Sequence, residues 1–263
     1  MRRLRGIEAL RLGARRSFVL MGVGMALGLV MHTVAARRLG VDEYGVFTYA
    51  LNGATLGSLL LTLGWPTSAM RFVAQYREAE QWGLLRGLMT RSHQVVLSVS
   101  VASALVIALV GRYALTSPSA RLSAALISLM LPVISLGLLR IRLLRGLLRV
   151  SDSIIAERLA IPLLVVVGLV VLPAVGGVHV VLLWVGAALV VRAVETGRLR
   201  SARPDGVASS AREYRTGEWG RVAIAIALGE VARATLARGD TMMLGAMSGM
   251  LDVAVYGASR RVG

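Results

Sequence analysis

The chain has 263 residues, 56% of them apolar and 17% charged, against about 45–50% and about 25% in an ordinary soluble domain. With a mean hydropathy of +0.70 it is neither a disordered segment nor a water-soluble globule, and without cysteine it has no disulfide and no thiolate metal site. The net charge of +16 comes from thirty arginines and no lysine, set between long apolar runs; this is the membrane pattern, and it argues against nucleic acid as a partner.

A membrane-crossing helix needs about 20 apolar residues. The first such run is Ser17 to Ala36, preceded by Arg2, Arg3, Arg5, Arg11, Arg15 and Arg16. It exceeds the roughly 7–15 apolar residues of a cleavable signal, so it reads as an uncleaved first span. Within it, Gly22, Gly24 and Gly28 have the spacing of close helix packing. His32 is either a packing histidine or a proton relay.

The second run, Gly45 to Met70, contains Asn52, which is either helix–helix glue or a ligand-binding amide. Trp65-Pro66 near its end reads as a kink with an interfacial ring. Arg71, just beyond, either snorkels to headgroups or closes the mouth of a cavity. Ser92 to Gly111 and Leu122 to Leu139 give spans three and four, and the basic–apolar stretch Arg140 to Arg149 reads as a helical extension of span four.

The run Leu159 to Val191 is thirty-three residues long, too long for one upright helix, and it splits at Pro173 and Gly176-Gly177 into spans five and six. Pro204-Asp205-Gly206 and Ser209-Ser210 then mark a flexible hinge. A seventh span starts near Val222, and the apolar stretch after Asp252 reads as the opening of an eighth. The expected organisation is an all-α integral membrane protein. Residues 1–197 form a six-helix transmembrane lobe, 198–218 a cytoplasmic linker, and 219–263 the start of a second, truncated lobe.

With this topology, 22 arginines fall on the side of the N-terminus and 4 on the other. Cytoplasmic loops hold the excess of basic residues, so the expected location is the cytoplasmic membrane, multi-pass, with the N-terminus in the cytoplasm.

Span seven carries ionisable residues at bilayer depth, where each costs at least about 2.5–3.5 kcal/mol unless it meets a cavity or a partner. On a helix, Glu230, Arg233 and Asp240 share one face about 80° wide, while Arg238 lies off it. The stripe either lines a water-filled route, with Arg233 meeting an anion and a carboxylate taking up a proton or cation, or is a self-neutralised surface packed on a neighbouring helix.

The three histidines lie on separate segments, no carboxylate–histidine spacing occurs, and there is no lysine for a P-loop. Neither an enzyme nor a cofactor is expected.

Gly40-Val41-Asp42-Glu43-Tyr44-Gly45-Val46-Phe47 and Gly249-Met250-Leu251-Asp252-Val253-Ala254-Val255-Tyr256 share glycine, acid, small residue, valine and aromatic at matching places, 209 residues apart. Six spans separate them, so the copies form a parallel repeat.

The stretch from Ala35 to Phe47, ending Leu39-Gly40-Val41-Asp42-Glu43-Tyr44-Gly45-Val46-Phe47, resembles the signature after the first helix of polysaccharide flippases of the multidrug/oligosaccharidyl-lipid/polysaccharide exporter superfamily. Met70-Arg71-Phe72-Val73-Ala74-Gln75-Tyr76 is similar to that family's motif after helix two. Gly239-Asp240-Thr241-Met242-Met243-Leu244-Gly245 is similar to its helix-seven stretch. The resemblance implies two six-helix lobes around a central cavity, in the architecture of the multidrug exporters. It implies alternating access and a substrate of undecaprenyl-pyrophosphate-linked glycan moved from the inner to the outer leaflet.

On that basis Arg233, Arg71, Asn52 and His32 are the substrate-binding candidates, and Glu230 and Asp240 the ion-coupling ones. Membrane lipid, glycan-assembly proteins and a second lobe are the implied partners. The alternatives are a cation-exporting multidrug antiporter of the same superfamily and a non-transporting scaffold in a glycan-assembly complex.

Overall fold

Long runs of leucine, valine and alanine have no water to satisfy their backbone in lipid, and a helix satisfies it internally. The computed structural model describes residues 2–172 and 176–229, and every regular element among them is helical. In chain order these are α1 (Arg2–Leu61), α2 (Trp65–Glu78), α3 (Trp82–Tyr113), α4 (Pro118–Gly146), α5 (Val150–Ile154), a π-helical segment (Ile155–Ala160), α6 (Ile161–Val171), α7 (Gly177–Ser201), α8 (Asp205–Ser209) and α9 (216–229).

Five helical stretches are long and apolar enough to cross a membrane, with α5, the π segment and α6 forming one of them, Val150–Val171. The first, α1, breaks at Gly40, whose φ of 76° and ψ of 177° are open to glycine and costly for other residues. Tyr44 Oη lies 3.1 Å from His32 Nδ1, although twelve residues of straight helix span about 18 Å. The chain therefore doubles back, and 2–39 and 41–61 run as two separate helices. The protein is a multi-pass α-helical membrane protein.

Large apolar side chains such as Phe18, Leu29, Leu105 and Val171 point outward, as a lipid-facing surface requires. Two buried clusters fill the inside. One, around Met31, Phe47, Met130, Val165 and Trp184, ties the α1 arms to α4, α6 and α7. The other, around Phe72, Tyr76, Leu85, Leu144 and Trp219, lies at the arginine-rich end. The central helix, α4, touches α1, α2, α3, α5, the π segment and α7.

Several sequence expectations hold. The long apolar run splits before Gly177, although Pro173 itself lies outside the described residues. The Arg140–Arg149 stretch extends α4 as far as Gly146, and its last three residues fall in the turn beyond.

Others are corrected. Span two does not run on to Met70 with a kink at Trp65-Pro66. Leu63 (φ 47°) and Gly64 (φ 68°) reverse the chain in two left-handed steps, and Pro66 sits in the first turn of a new helix, α2. Trp65 is buried there and is not an interfacial ring. Of the span-one glycines only Gly24 makes a close approach, with a Cβ there falling 2.6 Å from Arg158 Cβ; Gly22 and Gly28 face open space.

The hinge read in 198–218 is docked. Arg86 Nη1 donates to the carbonyls of Ala208 (2.9 Å) and Ser210 (2.7 Å), and the Glu213 amide donates to the Gly83 carbonyl at 3.1 Å. The side chain of an arginine on α3 thus replaces water for a segment whose glycine and serine content alone reads as loose.

Candidate functional site

The signature residues after the first crossing build the reversal at Gly40. His32 and Tyr44 meet edge-on across it, with Phe47 fully buried 6.2 Å from His32. The Glu43 carboxylate accepts a hydrogen bond from the Gly177 amide, placing a negative charge at the N-terminus of α7, where the helix dipole favours it. The second motif is equally structural. Phe72 and Tyr76 stack at 5.7 Å, Val73 is buried, and the Tyr76 hydroxyl accepts from Trp219 Nε1 at 2.9 Å.

Of the substrate-binding candidates, His32 is half-buried in that reversal, while Asn52 and Arg71 are exposed. Among the described residues no hydrogen bond or ion pair joins these three. Glu230, Arg233 and Asp240 lie outside the described residues, and so does Arg238.

A polar centre that sequence reading missed lies inside the bundle, at its arginine-rich end. Arg192 and Glu195 share one side of α7 as an i,i+3 pair, with Arg192 Nη1 3.0 Å from Glu195 Oε2 and both side chains buried. The pair is in charge contact without hydrogen-bond alignment, and both Glu195 oxygens lack a hydrogen-bond partner. Gly137 on α4 makes the room: a methyl group there would overlap the Arg192 guanidinium. Arg140, one turn further along α4, donates through Nη1 to the Arg192 carbonyl.

A second layer of ion pairs closes the same end. Arg145 on α4 holds Glu157 of the π segment at 2.8 Å and Ser153 Oγ at 3.1 Å, and Arg198 on α7 holds Asp152 at 3.1 Å. Ser153 and Glu157, four residues apart, face Arg145 together. Such segments recur where a helix is remodelled for function. Beside it, an apolar cavity of about 250 Å³ opens between the π segment, α6 and α7, with Glu195, Asp152 and Arg198 among its lining residues.

The sequence reading counted Arg140 and Arg192 only as flanking charge. The available signal was Glu195, an acid three residues after Arg192 in an otherwise basic stretch, and Glu157 beside Arg158.

Chemically, this centre binds charge and holds helix ends together. Among the described residues no group of three His, Asp or Glu side chains is placed to hold a metal ion.

A family model described as polysaccharide biosynthesis protein matches residues 14–262. No curated protein and no solved structure matches the chain.

Proposed function

The chain belongs to the polysaccharide biosynthesis protein family, and on that premise we propose that it moves a lipid-linked oligosaccharide from the inner to the outer leaflet of the cytoplasmic membrane by alternating access. The observation that carries this reading is the match itself, which runs through all five long apolar stretches and on past α9. The substrate is an undecaprenyl-pyrophosphate-linked glycan. Its tail stays in hydrocarbon while its charged head needs a polar route, since an unpaired charge in lipid is costly.

In this reading residues 1–197 form one lobe of an exporter-like pair, 198–218 the cytoplasmic linker, and 219–263 the start of the second lobe. Arg233 meets the pyrophosphate through charge-assisted hydrogen bonds, and Arg71, exposed at the arginine-rich end, receives the head at the cytoplasmic mouth. Asn52, on the exposed side of the arm 41–61, contacts polar glycan, and His32 contributes at the far end. Glu230 and Asp240 couple transport to an ion gradient. The N-terminus is cytoplasmic, in accord with the arginine bias.

Complementation of a strain lacking its lipid-linked oligosaccharide exporter tests the proposal. The chain restores surface glycan, and Arg233→Ala and Arg71→Ala lower that restoration. Full restoration by Arg233→Ala removes its assigned role. No restoration by the unaltered, membrane-inserted chain overturns the transport reading in favour of a scaffold in a glycan-assembly complex.

A further inference from the structure

Three helices bring ionisable side chains to one level of the bundle. Measured from the end remote from the arginines, at 1.5 Å per residue, His93 lies about 30 Å along α3, Arg140 about 33 Å along α4 and Glu195 about 27 Å along α7. A bilayer's hydrocarbon core is about 30 Å thick, so all three sit where headgroups begin. The charges of Arg140 and Arg203 both reach His93, and those of Arg200 and Arg86 reach Arg203.

Among the described residues the positive charge here outnumbers the carboxylates that meet it. Glu195 is the carboxylate that contacts Arg192 and offsets Arg140, yet among the described residues Arg140, Arg200 and Arg203 form no ion pair. Arg140 Nε is buried and has no hydrogen-bond partner. Partial burial first, then the nearby Arg200 and Arg86, lower the Arg203 guanidinium below its ordinary value.

We propose that the basic cluster at the headgroup-level end of α3, α4 and α7, with Arg140 and Arg203 as its principal groups, binds the phosphate of an anionic glycerophospholipid from the leaflet at the arginine-rich end. Basic pockets between transmembrane helices recognise anionic headgroups in this way. Guanidinium groups suit the phosphate by forming paired hydrogen bonds to its oxygens. The depth fits a headgroup attached to chains in the bilayer. The site lies on α3, α4 and the end of α7 with the residues just beyond it, and does not depend on the transport reading.

The test is the melting temperature of the purified full chain in neutral detergent with added lipid. Dioleoylphosphatidylglycerol raises it, and dioleoylphosphatidylcholine does not. Arg203→Gln, at an exposed position with no ion pair to lose, reduces the shift, and Arg140→Gln with Arg203→Gln abolishes it. Arg38→Gln, which removes one exposed charge at the opposite end, leaves the shift in place.

Equal shifts with both lipids, or full shifts in the Arg203→Gln chain, overturn the proposal. So does a full shift with inorganic phosphate or undecaprenyl pyrophosphate and none with phosphatidylglycerol, which would assign the cluster to a free anion or to the glycan carrier.

Discussion

Trp219 donates its indole N–H to the Tyr76 hydroxyl at 2.9 Å, linking α9 to α2 across 143 residues of sequence, and both side chains are almost completely buried. Tyr76→Phe keeps the ring and removes the acceptor. An orphaned buried donor costs about 1–3 kcal/mol. The melting temperature falls, and hydrogen exchange rises first in residues 216–229. Unchanged exchange there would mean that packing alone holds α9.

Glu43 caps α7 through the Gly177 amide. Glu43→Ala removes both the hydrogen bond and the negative charge at the helix start, at a cost of about 0.5–2 kcal/mol. Glu43→Gln, which keeps an acceptor, costs less. Exchange of the first-turn amides of α7 is slowest in the unaltered chain, faster in Glu43→Gln and fastest in Glu43→Ala. Equal exchange in all three would show that the carboxylate does not cap the helix.

Glu195 holds two cations in place, Arg192 by contact and Arg140 at longer range. Glu195→Ala leaves them buried without compensation, and breaking such a pair from one side costs about 3–5 kcal/mol. Arg192→Met with Glu195→Leu removes charge from both sides and costs less than the sum of the single changes. Urea-induced unfolding in mixed micelles measures this non-additivity, and simple additivity would show the pair uncoupled.

Gly64 combines a φ of 68° with a neighbour that admits no side chain: a Cβ there would sit 2.6 Å from the Ala223 carbonyl oxygen. Gly64→Ala therefore strains the turn and pushes α9 away, lowering the melting temperature. Gly28→Ala, in a helix and facing open space, holds or raises it, since alanine in a helix is favoured over glycine by about 1 kcal/mol.

The crossings were legible because they depend on local composition. An apolar run forms a helix in lipid wherever it occurs, and Gly176-Gly177 interrupts one visibly. What was not legible depends on partners distant in sequence. The break at Leu63-Gly64 falls inside an uncharged run, and α9 packs against it closely. Arg192 and Glu195 look like ordinary flanking charges until Gly137 on another helix opens the space into which the arginine turns. The segment 202–218 has a loop's composition, and what fixes it is Arg86 and Gly83 by hydrogen bonds together with Val207 buried in the core. In the signature motif, sequence marked the residues and the structure gave their local work: Gly40 turns the chain, Tyr44 and Phe47 pack the turn, and Glu43 reaches across to α7.

That last contact sets a schedule for biosynthesis. Glu43 and Gly177 are 134 residues apart, and a ribosome adding about 5–20 residues per second needs on the order of ten seconds to cover that distance. During this interval the first two crossings are already made, and the Glu43 carboxylate waits at the far surface with water as its partner. The first hairpin must persist in the membrane on the strength of its own turn, and the arrival of α7 locks it.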